Sequence, residues 1–249
     1  ESSGFVALAD RLGAPLLLPD QLAENNQQRC FNWFRPADTQ RGGGEVASIR
    51  QMVDDALRRF ACDSGRVFVA GLSAGGALAA SLLAAYPDVF AGGAVVAGLP
   101  VGAAEDMHSA LLQMSHPQPA PRETWAERAA ERAAARGPAP AGGRWPRLSV
   151  WHGEADRTVD PANGEALAGQ WTALLGLPEV PDAAHFPAPN LRRRVWRDEA
   201  GGDAVEHWTV AGFGHAFPVA GGRPADPFVL PAGIDAADAM ARFWGLDPD

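Results

Sequence analysis

The chain has 249 residues, 47% of them apolar and 20% charged, which suits one packed domain and argues against a disordered chain. The formal net charge is −9, all 21 basic residues are arginine and no basic block stands out, so neither nucleic acid nor an anionic membrane is an expected partner. No apolar run approaches the ~20 residues of a membrane span. The opening residues Glu1-Ser2-Ser3-Gly4-Phe5 lack a charged region followed by an apolar one, so no signal peptide is visible.

In chain order, Phe5, Leu8, Ala9 and Leu12 recur at helical spacing, with Gly13 placed to end the helix. The run 14–18, Ala-Pro-Leu-Leu-Leu, reads as a buried parallel strand stopped by Pro19. Residues 19–44 read as a loop that holds the aromatic stretch Cys30-Phe31-Asn32-Trp33-Phe34. Val46, Ile49, Val53, Leu57 and Phe60 line one face of the clearest helix. A strand is expected at 66–70, a helix at 74–86 and a buried strand at 94–97. Residues 100–146, rich in proline and carrying a short helical stretch at 124–136, read as an insertion within one domain. A strand at 148–151, a helix at 165–175, two strands at 191–197 and 205–210 joined as a hairpin, and a closing helix at 234–244 complete the pattern. Strands alternating with helices imply an α/β fold on a mostly parallel sheet.

Cysteine and histidine counts bound the chemistry. Cys30 and Cys62 are the two cysteines, open to reading as one disulfide or as two free thiols. No cysteine–histidine cluster has zinc spacing, so no metal is expected, and no cofactor motif is present.

Strand 66–70 runs into Gly71-Leu72-Ser73-Ala74-Gly75, and a helix follows at once. This is G-x-S-x-G in the strand–turn–helix setting that exposes a nucleophilic serine. The turn is tight enough to strain Ser73 and to require glycine two positions to either side. The Ala74 N–H, at the helix start, is placed to donate to an oxyanion. A serine hydroxyl needs a histidine base held by a carboxylate, and behind this elbow the chain order is Ser, acid, His. His215 lies just past the strand ending at Val210, at a carboxyl-end strand edge. His207 lies within that strand and is expected to pack, His152 precedes every acid candidate, and His108, His116 and His185 sit in irregular segments. For the acid, strand 148–152 opens into a loop holding Glu154, Asp156 and Asp160. Asp156 reaches the same rim, whereas Asp160 before Pro161 looks like a helix cap and Glu154 remains a third choice.

At this point the residues resemble a known family, the poly(3-hydroxybutyrate) depolymerase-type esterases with their feruloyl and acetyl-xylan relatives. The resemblance rests on Cys30-Phe31-Asn32-Trp33-Phe34, on Val69 to Gly76, on Tyr86-Pro87-Asp88-Val89-Phe90-Ala91-Gly92-Gly93 and on Ala97-Gly98-Leu99-Pro100. Trp151-His152-Gly153 and Gly212-Phe213-Gly214-His215 complete it. It implies an α/β-hydrolase domain over 1–249, with segment 100–146 as a cap-like insertion. It implies a triad of Ser73, Asp156 and His215, with Ala74 at the oxyanion hole and no cofactor. It also implies an extracellular setting, which favours a Cys30–Cys62 disulfide. The expected substrate is a small ester or a polyester, with Trp33 as a substrate contact.

Such family members begin with a strand ending in His-Gly-Cys-like residues that supplies a second oxyanion donor. The chain is therefore expected to be truncated at its N-terminus, with a slot in the sheet between 14–18 and 66–70. The leading reading is a serine esterase working through an acyl-enzyme. The alternatives are an acyltransferase with the same triad and a non-catalytic polymer-binding homologue.

Overall fold

In the computed structural model, which describes residues 2–134, 145–221 and 226–246, eight strands are formed. They are β1 (Phe68–Leu72), β2 (Gly92–Val96), β3 (Arg147–Gly153), β4 (Ala183–Ala188), β5 (Leu191–Arg197), β6 (Asp203–Val210), β7 (Phe217–Val219) and β8 (Val229–Pro231). The first six build one sheet in the order β1-β2-β3-β6-β5-β4. β1, β2, β3 and β6 run parallel, and β5 and β4 continue antiparallel as the expected hairpin and one further strand. β7 and β8 pair separately. The helices are α1 (Phe5–Leu12), α2 (Pro36–Thr39), α3 (Gly44–Phe60), α4 (Ala74–Ala85), α5 (Met107–Ser115), α6 (Arg122–Ala134), α7 (Ala162–Leu174) and α8 (Ala236–Phe243).

Strand alternation divides the core in two. Leu148, Val150 and Val205 face one way, against Val46 of α3, Leu78 and Leu83 of α4, Ala129 of α6, and Leu167 and Trp171 of α7. Trp151, Trp208 and Val210 face the other way, against Met240 and Phe243 of α8. The Trp151 and Trp208 rings stack with centroids 4.5 Å apart. α4 is apolar all round because it is buried from Gly76 to Ala85, unlike the one-sided α3. On α3, Val46, Ile49 and Val53 are buried, but the stripe does not extend to Phe60, which is 57% exposed.

One expectation is corrected. Residues 14–18 form no strand; Leu16, Leu17 and Leu18 are exposed, and β1 has no neighbour on its outer side among the described residues. An apolar run is not enough to make a strand without a ladder partner, and here the chain passes the sheet without pairing. The expected slot between two strands is thus an open sheet edge at β1. In segment 100–146, α6 buries Trp125, Ala129 and Ala133 and packs beside α7, so it belongs to the helical layer of the core; residues 135–144 lie outside the described residues.

Leu83 is fully buried where α4 crosses β2; a Cβ on Gly93 would lie 2.6 Å from its Cδ1. Leu83→Ala is expected to cost about 2–5 kcal/mol. The measurement is a urea titration, in which the midpoint drops while the slope stays constant.

Candidate active site

The site sits at the carboxyl ends of β1, β3 and β6, where parallel strands present their loops to one rim. Strand pairing places Leu72 beside Val96 and Val96 beside Trp151, and the chain beyond each strand end stays tied to its neighbour. The Ser73 N–H donates to Val96 O (2.9 Å) and the Ala97 N–H to Trp151 O (2.8 Å). Ser73 has φ 57° and ψ −123°, a strained conformation for a residue with a side chain, held between β1 and α4. A Cβ on Gly71 would lie 2.1 Å from the Gly75 carbonyl oxygen, so glycine is required there. Gly75 differs from the expectation: a Cβ there would meet nothing within 4 Å. The glycine that matters on the helical side is Gly76, whose added Cβ would lie 3.0 Å from Gly71 O and 3.1 Å from Val96 O. Ala74 opens α4, so its N–H has no partner inside the helix and is free for a ligand.

Asp156 and His215 are brought together. His215 Nδ1 lies 2.8 Å from Asp156 Oδ2, and the Asp156 side chain is fully buried. Two links hold their loops together: the Glu154 N–H donates to Val210 O (2.9 Å) and the Ala155 N–H to Phe213 O (2.9 Å). Gly153 permits this approach, since a Cβ there would lie 2.2 Å from Phe213 O. Asp156 Oδ1 accepts from the amides of Thr158 (2.8 Å) and Val159 (3.0 Å). Burial alone would raise the Asp156 pKa, but hydrogen bonds from His152, His215 and these amides hold it well below the usual carboxylate range. With Nδ1 donating to Asp156, His215 presents Nε2 as the basic nitrogen. Ser73 Oγ makes no hydrogen bond to either residue among the described residues.

The other expected residues fall outside this pair. Glu154 is exposed, and Asp160 Oδ1 accepts from the Ala162 N–H (2.9 Å) at the start of α7, as a capping residue does. His108, His116 and His185 are exposed, and His207 is fully buried in β6. Trp33 is 8% exposed and packs with Phe34, Ala74, Ala77 and Val159, beneath the elbow and the acid loop. The expected disulfide is not formed: Cys30 and Cys62 are free. Each thiol turns to a nearby carbonyl, Cys30 to Gln28 and Cys62 to Ala56. The residue that chain-order reasoning set aside is His152. Its Nε2 lies 2.9 Å from Val159 O and 3.4 Å from Asp156 Oδ2; the i, i+4 spacing of His152 and Asp156 was the available signal.

A family model described as Esterase PHB depolymerase matches residues 2–186. The chain belongs to this esterase family. Poly(3-hydroxyalkanoate) depolymerase C of Paucimonas lemoignei is 35% identical, over 99% of this chain and 59% of its own length. Feruloyl esterase B of Talaromyces funiculosus is 30% identical, over 84% of this chain and 58% of its own length. The chain thus spans about three-fifths of the length of these two relatives. The acetyl xylan esterase of Aspergillus awamori superposes with a TM-score of 0.77 at 22% identity, covering 98% of this chain and 82% of that one. That likeness shows the shared α/β-hydrolase-type fold of this esterase family.

Two predictions follow from the packing and charge of the site. Gly71→Ala is expected to destabilise by about 1–3 kcal/mol through overpacking, whereas Gly75→Ala stays within about 0.5 kcal/mol; thermal unfolding of both variants compares them. The second concerns acid. Burial pushes His207 down to about 3, with Glu165 opposing and Arg194, His152 and Arg192 adding to the shift. The unfolded imidazole takes up a proton below pH ~6.5 while the folded one stays neutral, so stability falls as pH drops from ~6.5. Asp156 adds a further loss below pH ~4, where the unfolded carboxyl is protonated and the folded one is not. Urea midpoints measured from pH 7 downward are expected to show both limbs, and Asp156→Asn is expected to have a shallower lower one, since Asp88 and Glu165 are also held below their ordinary values.

Proposed function

We propose that the chain carries a serine carboxylic ester hydrolase site, with Ser73 as nucleophile, His215 as base and Asp156 as its orienting acid. The observation that supports it most is the 2.8 Å contact of His215 with a buried, strongly acidic Asp156, at the same rim as the strained Ser73. In this reading His215 Nε2 takes the Ser73 proton as Oγ attacks the ester carbonyl. The Ala74 N–H donates to the oxyanion. Collapse breaks the ester C–O bond, and His215 returns the proton to the departing alcohol. Water, deprotonated by His215, then releases the acid from the acyl-enzyme. Asp156 keeps His215 in the tautomer that donates from Nδ1 and stabilises the imidazolium.

The names of the relatives support polyester oligomers or feruloyl and acetyl esters as the substrate class. Trp33 acts from beneath, by holding Ala74 and Val159 in place, more than by touching the acyl chain. Polymeric esters are too large to cross a membrane, which supports an extracellular setting, and no described helix is long and apolar enough to span one.

Ser73→Ala is expected to lower turnover of a p-nitrophenyl ester by about 10⁶-fold. Retained activity would remove Ser73 from the reaction. Assays with an added acceptor alcohol separate hydrolysis, which yields free acid, from acyl transfer, which yields a new ester.

A further inference from the structure

The His152 ring has two hydrogen-bonding nitrogens, and protein atoms account for one. Val159 O and Asp156 Oδ2 both accept, so Nε2 carries the proton and Nδ1 is an acceptor. Nδ1 is buried with no partner. His207 is the converse. Its Nδ1 lies 2.5 Å from the Arg194 guanidinium, which can only donate, so Nδ1 accepts and Nε2–H is the donor. That Nε2 is also buried and unpartnered, as is Thr209 Oγ1.

The strand register brings the three residues to one face of the sheet. β3 and β6 pair Val150 with His207 and His152 with Thr209, so the three side chains rise from one face of two adjacent strands. The first turn of α7 covers His152: a Cβ on Gly164 would lie 2.7 Å from its Nδ1. A larger residue there would collide with the His152 ring. A donor, an acceptor and a hydroxyl able to do both are together the complement of one water molecule, and internal waters take such groups as partners.

We propose that His152 Nδ1, Thr209 Oγ1 and His207 Nε2 hold a buried water, and that His152, fixed by it, positions Asp156 for His215. The proposal rests on the reading of Asp156 as the triad acid. By donating to Nδ1 the water sets the His152 tautomer. In the opposite tautomer Nε2 would turn a lone pair toward two oxygens, and the carboxylate that orients His215 would lose a donor.

The test has three readouts on the full-length protein. A crystal structure fine enough to show waters is expected to hold one within hydrogen-bond reach of all three atoms; a dry site, or a protein donor on Nδ1, overturns the proposal. Imidazole nitrogen NMR, with the His152 signal assigned by its loss in His152→Gln, is expected to show the neutral form protonated at Nε2; protonation at Nδ1 overturns it. In ester kinetics, His152→Leu is expected to lower kcat by roughly tenfold or more with KM unchanged, and His152→Gln, which restores a donor, to recover most of it. Thr209→Val is expected to lower kcat in the same way and Thr209→Ser to spare it, which keeps the test open if His152→Leu fails to fold. Equal losses in the conservative and non-conservative variants, or a change in KM alone, mean a merely structural role and overturn the proposal. If instead Ser73→Ala or Asp156→Asn keeps full activity, the triad reading fails while the water can still be present.

Discussion

The arrangement depends on how closely α4 can approach the sheet. Gly76 stands against the carbonyls of Gly71 and Val96, and a Cβ on Gly98 would lie 2.4 Å from Val95 and 3.1 Å from the Gly76 backbone. Glycine at these positions lets the first turn of the helix rest closely on the ends of β1 and β2. That contact forces the turn at Ser73 into its positive φ, and the buried surface of α4 offsets the strain. The aromatic loop completes the support from below, since Trp33 and Phe34 meet both the start of α4 and Val159 of the acid loop. Ser73, Asp156 and His215 thus depend on neighbouring parts of one packed layer.

The acid is set by a different logic. Asp156 is stripped of solvent and then supplied with protein donors on both oxygens, two amides on one and two imidazoles near the other. A buried carboxylate with fewer donors would tend to take up a proton and lose its hold on His215. The dense bonding of loop 154–160 is therefore part of the site's chemistry as well as its folding.

Much of this was legible in the sequence, and the reasons are local. G-x-S-x-G between an apolar strand and an alanine-rich helix is a contiguous signal, and so is a histidine or aspartate a few residues past a strand end. The paired strands 191–197 and 205–210 could be read because the turn residues lie between them. Features set by distant chain were less legible. Whether Cys30 meets Cys62 depends on the path of the loop around Asn25 and Asn32, which Gln21 and Glu45 fix through side-chain hydrogen bonds. The run 14–18 looks like a strand because apolarity says nothing of who sits beside it. β4, with Pro187 and no β-branched residue, carries little strand signal and forms as an edge against β5. His152 was hidden by its position ahead of Asp156, since its contact is with that neighbour and with Val159 O.

The open side of β1 bears on how the serine is held over time. Its strand is gripped by β2 on one flank, and the outward backbone groups have no ladder partner among the described residues. Amides on such an unpaired flank exchange more readily than those bonded across to β2. Ser73 therefore follows a strand that is paired on one flank only. Its steadiness comes from β2 and α4, and any segment that laid a strand along the bare flank would slow local opening beneath the serine without touching the reacting atoms.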